Sequence, residues 1–198
     1  MTDPGEPRRG NSPTVVILGR QGSGKGTQSA LIVDVFGLVH VSTGDMLRAA
    51  VTGETELGRR AGELMERGEL VPDDVMCGIV ADRLARDDIV TNGVLLDGFP
   101  RTAPQADELE SITAGTGGID IALNLEVPVA EVTRRMLERG RSDDSREAIQ
   151  RRLHLYEEQT SPLIEWFSER DLLTVVDGMG TTDEVFARIR SVLEDVLD

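Results

Sequence analysis

The chain has 198 residues, of which 39% are hydrophobic and 29% are charged, and these are ordinary values for a globular protein that buries its own core. Its formal net charge of −15 argues against a nucleic-acid binder, because such proteins usually carry a basic surface. No apolar run approaches the roughly 18 residues that a membrane helix needs, and the single cysteine, Cys77, excludes a disulfide framework and a cysteine zinc cluster.

The N-terminal residues 1–12 are rich in proline, glycine and charge, and they lack the apolar core of a signal peptide. We expect a disordered leader there, followed by a single domain over residues 13–198. Since neither a signal peptide nor a membrane helix is expected, the predicted location is cytoplasmic.

Five apolar runs, rich in β-branched residues, alternate with longer helical patterns along the rest of the chain. The predicted strands are residues 14–18, 38–41, 94–96, 119–125 and 172–176. Strands that alternate with helices predict βαβ units. The expected fold is therefore α/β, with a five-stranded parallel sheet covered by helices on both faces.

Helices are predicted over residues 25–36, 129–139 and 145–167, and another is predicted to begin at Pro72. Three further helix starts have the capping-box spacing, a hydroxyl followed three residues later by a side-chain acceptor. These pairs are Ser42 with Asp45, Thr102 with Gln105, and Thr181 with Glu184.

A glycine-rich loop, residues 19–27, follows the first predicted strand and leads into a helix. Glycines permit positive φ and turn successive N–H groups inward, and the helix N-terminus adds its dipole. Lys25 supplies a mobile positive charge for the β- and γ-phosphates of a nucleotide. Because Gly26 follows Lys25, a hydroxyl directly on Mg2+ is not assured. The expected phosphate-binding residues are Gly22, Ser23, Gly24, Lys25, Gly26 and Thr27.

Two more segments, residues 41–48 and 96–105, each follow a predicted strand and lead into a helix. Ligands of an open α/β sheet gather at the carboxyl ends of its strands. Arg48 and Arg101 can each grip a phosphate bidentately, and the amide of Gln105 can pair with a base edge. The alternatives are that the arginines are solvated surface charges and that Gln105 is only a capping residue.

Arginines are concentrated between residues 134 and 152. Arg135 and Arg139 are four residues apart and therefore share a helix face. In so acidic a chain this concentration predicts an anion site, and the alternative is a salt-bridged solvent face. The cluster consists of Arg134, Arg135, Arg139, Arg141, Arg146, Arg151 and Arg152.

These segments together resemble the adenylate kinase family. The loop Gly-x-x-Gly-x-Gly-Lys-Gly-Thr-Gln, the two acceptor segments and the arginine-rich segment resemble those of short-lid, bacterial-type members, and the likeness extends from about Val15 to Leu193. The resemblance implies a P-loop NTPase-type fold, with an inserted AMP-binding flap (residues 42–71) and a short lid (residues 138–146). The implied activity is Mg2+-dependent phosphoryl transfer between ATP and AMP, which gives two ADP and maintains the adenine nucleotide balance.

The resemblance also implies residue roles on the donor side. Arg135 would lie at the adenine of ATP and Arg139 on its phosphates, while Gly180 would offer a backbone contact to the adenine. Asp97 would orient water on Mg2+. No zinc is expected, because the chain passes from Arg139 to Asp144 without room for an extended, zinc-binding lid.

On the acceptor side, the resemblance implies that Thr43 and Gln105 recognise the adenine of AMP and that Arg48 and Arg101 hold its phosphate. Arg141 and Arg152 would span the transferring phosphoryl group and the AMP phosphate. Lys25, Arg101, Arg139, Arg141 and Arg152 are the implied catalytic residues. The remaining AMP contacts would come from Glu69, Leu70 and Val71, and from the segment Gly98, Phe99 and Pro100, whose Phe99–Pro100 bond is typically cis in the family.

The chain departs from the family at Gln21, where a proline is usual, and the glutamine could add a donor near the phosphates. One rival is a UMP/CMP kinase, although that family typically has Ala in place of Thr43 and Asn near Thr102. A second rival is a non-catalytic nucleotide sensor. The expected partners are ATP, AMP and ADP, with no nucleic acid and no membrane, and the expected state is a monomer.

Other residues receive structural interpretations. Neither His40 nor His154 has a partner carboxylate by spacing. Tyr156 and Trp166 are interpreted as packing residues, and Cys77 as an inert buried thiol.

Overall fold

The computed structural model describes residues 12–53, 59, 62, 64, 71–140 and 144–197. Its strands are β1 (Thr14–Leu18), β2 (Val39–Ser42), β3 (Val94–Asp97), β4 (Ile121–Glu126) and β5 (Leu173–Asp177). Its α-helices are α1 (Lys25–Phe36), α2 (Thr43–Thr52), α3 (Asp73–Leu84), α4 (Asp87–Asn92), α5 (Ala103–Thr113), α6 (Val129–Arg139), α7 (Arg146–Leu155), α8 (Pro162–Ser168) and α9 (Thr182–Leu197). A short 3₁₀ helix (Ala114–Thr116) follows α5.

The strands form one parallel sheet in the order β2-β3-β1-β4-β5, which confirms the predicted fold class. β1 lies in the centre, with Ile17 opposite Asp97 of β3 and Leu18 opposite Asn124 of β4. The first connection leads from β1 to one side of the sheet and a later one leads to the other side. The carboxyl end of β1 therefore lies at the switch point where ligands of open α/β sheets bind.

Alternate residues of the strands enter two separate cores. Val15 and Ile17 pack with helices α1 and α9, whereas Val16 and Leu18 pack with α2, α3, α5 and α8. Because both faces of the sheet are covered, the central strand β1 is buried along its whole length, and each fully buried apolar side chain contributes roughly 1.5–3 kcal/mol. A third, smaller cluster joins α6 to α7.

The predicted helix starts are confirmed by their caps. Ser42 Oγ accepts from Asp45 N at 3.2 Å, and Thr102 Oγ1 accepts from Gln105 N at 3.4 Å. At α9 the box is reciprocal: Thr181 N donates to Glu184 Oε2 at 2.7 Å, and Glu184 N donates to Thr181 Oγ1 at 3.3 Å. These caps fix where the functional segments leave their strands and enter helices.

The helix predicted over residues 145–167 is divided. α7 ends at Leu155, and a π-helical turn (Tyr156–Thr160) leads into α8. Ser161 N donates to Tyr156 O at 2.7 Å, five residues back. The physical reason is Pro162, which has no N–H to continue the regular pattern. The short helix α4 was not among the predicted elements.

Within the described residues, no helix combines the length and the apolar character required to cross a membrane. Of the predicted leader, residues 1–11 lie outside the described part of the chain. Nearly half of the predicted flap over residues 42–71, and residues 141–143 of the predicted lid, lie outside it as well.

Candidate active site

A cavity of about 990 Å3 opens at the carboxyl edge of the sheet. It is lined by the glycine loop after β1, the segments that follow β2 and β3, and residues of α6 and α7. Every predicted site residue within the described part lines this cavity except Phe99, whose side chain is only 1% exposed and lies in the core. Glu69, Leu70 and Arg141 lie outside the described residues.

The glycine loop is held against α6. Gly22 has φ +83°, and a Cβ on it would lie 2.7 Å from Val132 O and 3.0 Å from Met136 Cγ, so only glycine fits without movement. Gly24, with φ 100°, precedes the first turn of α1. Lys25 Nζ donates to Gly19 O at 2.6 Å and to Arg20 O at 3.0 Å, which folds its side chain back across the loop. The loop is therefore preformed as an anion cradle.

The pKa of Lys25 is lowered from 10.5 to about 8. Burial of the ammonium is the main cause, and the positive charges of Arg101 and Arg139 add to it, while Asp97 opposes the shift. A lysine amine surrounded by other cations is stabilised by an incoming anion. The positive groups of this acidic chain are thus concentrated where a phosphate would enter.

Gly98 connects two predicted acceptor residues. Its carbonyl accepts from Thr43 Oγ1 and from Arg101 Nε, both at 2.8 Å. Gly98 has φ +83°, and a Cβ there would lie 3.0 Å from atoms of both side chains. Because Ser42 rather than Thr43 caps α2, the Thr43 hydroxyl is engaged with the site and not with the helix cap.

Gln105 is buried, and its amide is oriented by two contacts. Oε1 accepts from Arg101 N at 2.8 Å, and Nε2 donates to Asp73 Oδ1 at 2.6 Å. Thr102 Oγ1 donates to the other oxygen of Asp73 at 2.9 Å. The Gln105 side chain thus points to Arg101 and Asp73 instead of returning to the helix cap, and the amide is held in one orientation at the cavity wall.

The arginines that flank this segment act on one another. The pKa of Arg101 is lowered, chiefly by burial, and the charges of Arg152 and Arg48 lower it further, while Asp97 opposes them. Arg48 forms an ion pair with Asp45, with Nη2 and Oδ1 2.5 Å apart. Burial raises the pKa of Asp45, but hydrogen bonds from Arg48 and Ser42 outweigh it and leave the pKa lowered.

Asp144 holds two arginines of the predicted cluster, Arg139 and Arg152. Its buried carboxylate accepts from Arg139 Nε at 3.0 Å, from Arg139 Nη2 at 2.9 Å and from Arg152 Nη1 at 3.2 Å. Arg152 Nη1 also donates to Gln21 Oε1 at 2.9 Å. Both guanidinium groups are thereby fixed along the cavity wall.

Arg134 and Arg135 of α6 differ in their contacts and in their exposure to solvent. Arg135 lines the cavity, where its Nε donates to Glu131 Oε1 at 2.7 Å and its Nη1 reaches Ser23 O at 3.4 Å. Arg134 pairs with Glu131 and Glu138, and its side chain is more than half exposed. Arg134 thus has the salt bridges and the exposure of a solvent face although it also lines the cavity, whereas Arg135 is less exposed and lies beside the glycine loop.

Asp97 lines the cavity and interacts electrostatically with Lys25 of the glycine loop. Burial raises its pKa, but His40, Lys25 and Arg101 outweigh this effect and leave the pKa lowered, so Asp97 is anionic. Within the described residues no group of three or more histidine, cysteine or acidic side chains could hold a metal. One carboxylate beside a phosphate site fits Mg2+, which protein sites usually bind through one or two carboxylates, substrate phosphates and water.

The expectation that neither histidine has a partner carboxylate is wrong. His40 Nε2 lies 3.6 Å from Asp97 Oδ2, and His154 Nε2 lies 3.2 Å from Glu158 Oε1. The second pair has i,i+4 spacing and could have been read from the sequence, whereas the first depends on the pairing of β2 with β3.

Two further interpretations need correction. Tyr156 lines the cavity, with the Arg20 guanidinium 5.3 Å from its ring centre, so the packing role is confirmed for Trp166 alone. Cys77 is half-buried rather than buried, and burial together with neighbouring acidic groups raises the pKa of its thiol, as expected for an inert cysteine.

Sequence reasoning missed the side chains that hold the functional arginines. Glu131 is four residues before Arg135, which is a readable helical spacing. The contacts of Asp144 and Gln21 with Arg152 join residues on different elements, and no local pattern indicates them.

The parallel sheet, with the glycine loop at its switch point and arginines along the same cavity, defines a P-loop protein. The adenylate kinase family model matches residues 17–172. The adenylate kinase of Parvibaculum lavamentivorans is 46% identical over 187 residues, covering 90% of this chain and 91% of that protein. Those of Thermobifida fusca and Thermus thermophilus are each 45% identical, covering 91% and 90% of this chain and 97% and 96% of their own. The chain belongs to the adenylate kinase family, and it is a nucleoside-monophosphate kinase, a phosphotransferase.

Proposed function

We propose that this chain catalyses the reversible, Mg2+-dependent transfer of the γ-phosphoryl group of ATP to AMP, which gives two ADP. The observation that carries the proposal is that one cavity has cationic groups on two of its walls. The glycine loop with Lys25 forms one wall, and Arg48 and Arg101 form the other. A phosphoryl-transfer enzyme needs both, because it must hold donor and acceptor in line.

On the donor wall, the backbone N–H groups of residues 22–27 cradle the phosphates of ATP, and Lys25 reaches the β- and γ-phosphates. Arg139 contacts the same phosphates. Arg135 and Gly180 border the adenine, and both line the cavity. Ser23, Gly24, Gly26 and Thr27 complete this wall.

On the acceptor wall, Arg48 and Arg101 hold the phosphate of AMP, while Thr43 and Gln105 recognise its base. The shared hydrogen bonds to Gly98 O support this division, because they place the Thr43 hydroxyl next to the Arg101 guanidinium. Val71 and Pro100 border the same wall, and Phe99 contributes through its backbone alone. Glu69 and Leu70 are proposed as further AMP contacts.

The chemistry requires charge stabilisation and little proton transfer. A phosphate oxygen of AMP is already anionic, so no general base is needed to activate it. Lys25, Arg101, Arg139 and Arg152 neutralise charge on the transferring group and keep it in line, and Arg141 is proposed to join them. When bound with ATP, Mg2+ supplies further neutralisation of the phosphates, and the anionic Asp97 would hold it through water.

Water is the competing acceptor and must be excluded. We propose that the AMP-binding region, residues 42–71, and the short lid, residues 138–146, close over the bound nucleotides. Arg48 is engaged by Asp45 in the described structure, so AMP binding would replace a carboxylate by a phosphate on the same guanidinium.

The nearest rival is a kinase for UMP or CMP on the same fold. A coupled assay with ATP, Mg2+ and a panel of AMP, UMP and CMP separates the two. We expect ADP production with AMP, and much lower kcat/KM with UMP and CMP, because Thr43 and Gln105 are arranged to hydrogen-bond a base. Comparable kcat/KM for UMP and AMP would contradict the proposal. No turnover despite tight ATP binding would favour the nucleotide sensor.

The remaining proposals concern the setting of the activity. We propose a cytoplasmic monomer whose partners are ATP, AMP and ADP and which does not bind nucleic acid, consistent with its net charge of −15. Sedimentation with and without nucleotides tests the oligomeric state. In this setting the enzyme maintains the balance of adenine nucleotides.

A further inference from the structure

Gln21, the third residue of the glycine loop, makes a contact that the proposed roles leave unexplained. Its Oε1 accepts a hydrogen bond from Arg152 Nη1 at 2.9 Å, and both residues line the cavity. The Arg152 side chain is only 8% exposed, so this hydrogen bond is largely shielded from water. The hydrogen bond links the phosphate loop to α7 and fixes the Arg152 guanidinium beside that loop.

The loop around Gln21 is itself immobilised. Gly22 packs against α6 so closely that a Cβ would meet Val132 O at 2.7 Å. The neighbouring Arg20 side chain adds little to this support, because its hydrogen bond from Nε to Glu157 Oε1, at 2.8 Å, lies at the exposed surface. Gln21 therefore offers its amide from a fixed support, which a positioning residue requires.

The chemistry of the acceptor also matters. Asp144 already shares its carboxylate between Arg139 and Arg152, and this cancels part of their positive charge. The amide oxygen of Gln21 orients Arg152 from the loop side without adding negative charge beside the phosphates. A carboxylate there would orient the guanidinium equally well, but it would repel the nucleotide.

We propose that Gln21 is a positioning residue that holds the Arg152 guanidinium against the phosphate loop, in line with the transferring phosphoryl group. The inference rests on the proposed phosphoryl transfer and on the part that Arg152 plays in it. Gln21, a residue of the donor loop, would thus position Arg152, an arginine that acts in the transfer step.

The variant that tests this is Gln21→Met, which keeps the length of the side chain and removes the acceptor. We expect kcat to fall about tenfold, the effect of losing one hydrogen bond to a charged group, with the KM for ATP changed less than about twofold. Gln21→Glu keeps the acceptor and the shape but adds charge, so we expect it to raise the KM for ATP, unlike Gln21→Met.

A double-mutant cycle with Arg152→Met shows whether Gln21 acts through Arg152. If it does, Gln21→Met lowers kcat in the wild-type background and changes it less than about twofold in the Arg152→Met background. Equal losses in both backgrounds would overturn the inference. So would a Gln21→Met enzyme that keeps more than half of the wild-type kcat, or one that loses thermal stability with kcat unchanged.

Arg20→Gln is the matched control, because it removes the neighbouring link to Glu157 without touching Arg152. We expect its kcat to stay within about twofold of wild type, and a tenfold loss would assign the effect to the loop as a whole and overturn the inference. The assay of the wild-type protein distinguishes a failure of the proposed phosphoryl transfer from a failure of the role given to Gln21. A wild-type protein that does not convert ATP and AMP refutes the proposed function, whereas an active wild type with an unaffected Gln21→Met variant refutes only the inference about Gln21.

Discussion

Lys25 combines a mobile side chain with a strongly perturbed charge. Its ammonium donates to two carbonyls of its own loop, and burial together with the charges of Arg101 and Arg139 lowers its pKa to about 8. Those carbonyls are the contacts that a phosphate would replace. A polyanion bound there would therefore stabilise the positive charge of Lys25.

The substitution Lys25→Met tests the role of this charge. The backbone cradle stays intact, so the protein should fold and still bind nucleotide, but the stabilisation of the transferring charge is lost. We expect kcat to fall on the order of 100-fold or more. The coupled assay, together with circular dichroism, checks this. Retention of more than about a tenth of the activity would remove Lys25 from the catalytic group.

The lowered pKa of Lys25 also predicts a pH dependence. Between pH about 8 and 10.5 the unfolded chain holds the lysine proton more tightly than the folded one, so this group adds stability as the pH rises through that window. Bound phosphates favour the charged form, so ATP binding should take up a proton near pH 8. The affinity for ATP should then weaken above pH 8, by up to about tenfold per pH unit.

Calorimetric titrations at pH 8, in two buffers with different ionisation enthalpies, measure this proton uptake directly. Lys25→Met is the control, since it has no proton to gain at that position. An ATP affinity that stays constant from pH 7 to 9 in the wild type would show that Lys25 does not titrate in this range.

Thr43→Ala tests the choice of acceptor. The variant removes the hydroxyl that donates to Gly98 O and leaves the helix cap at Ser42 in place. We expect a higher KM for AMP, better relative use of UMP or CMP, and little change in the KM for ATP, with an effect of roughly 0.5–1.5 kcal/mol. Specificity ratios and melting temperatures are measured on one preparation. An unchanged AMP-to-UMP ratio with lower stability would leave Thr43 with a structural role only.

At the scale of elements, Asp144 connects helices α6 and α7 through salt bridges. Its buried carboxylate bridges Arg139 of α6 and Arg152 of α7. Asp144→Asn should lower the free energy of unfolding by about 2 kcal/mol, less than the 3–5 kcal/mol typical of a fully buried pair because Arg139 is partly exposed, and it should lower kcat as well. Urea denaturation measures the change.

Glu138→Gln provides the matched comparison. Within the part of the chain that the structure describes, Glu138 pairs only with the exposed Arg134, so its loss should cost at most about 0.5 kcal/mol. If Asp144→Asn were as stable as Glu138→Gln, the buried bridge would not hold the two helices together.

The elements differ in how far the sequence predicts them. The strands are predictable from largely apolar runs, because the sheet packs against an apolar core on each of its faces. Residues 145–167 were predicted as one helix, although Pro162 lies within them. The missing N–H of that proline produces the π turn, which periodicity alone does not report.

The residues of the candidate site also differ in how far the sequence predicts them. Gly22, Lys25 and Arg101 are recognisable because each lies in a short segment that follows a strand. The orientation of Gln105 by Asp73 and the bond between Gln21 and Arg152 join residues 32 and 131 positions apart. Such contacts depend on the assembled fold, so residue spacing does not predict them.

At the scale of the whole molecule, an overall charge of −15 coexists with a cationic cavity. The acidic groups elsewhere repel free nucleotide at long range, and salt screens this repulsion over about 10 Å at 0.1 M. The attraction inside the cavity acts at short range and is screened much less, so the positions of the arginines and Lys25 matter more than the total charge.

Metal removal is a test at this scale. Because the fold is built from two apolar cores and the proposed Mg2+ enters with ATP, a chelator should stop catalysis without lowering the melting temperature of the nucleotide-free protein. Thermal unfolding with and without EDTA checks this, and activity should return when Mg2+ is added. A melting temperature that falls on chelation, or zinc found by elemental analysis, would contradict it.

The carbonyl of Gly98 has a consequence for fidelity. It accepts hydrogen bonds from Thr43, proposed to read the base, and from Arg101, proposed to hold the phosphate. A monophosphate with the wrong base that displaces Thr43 would disturb the same oxygen that orients Arg101. The phosphate of a monophosphate with the wrong base would then be misaligned for transfer. Such a substrate would be rejected during the transfer step, after it had bound.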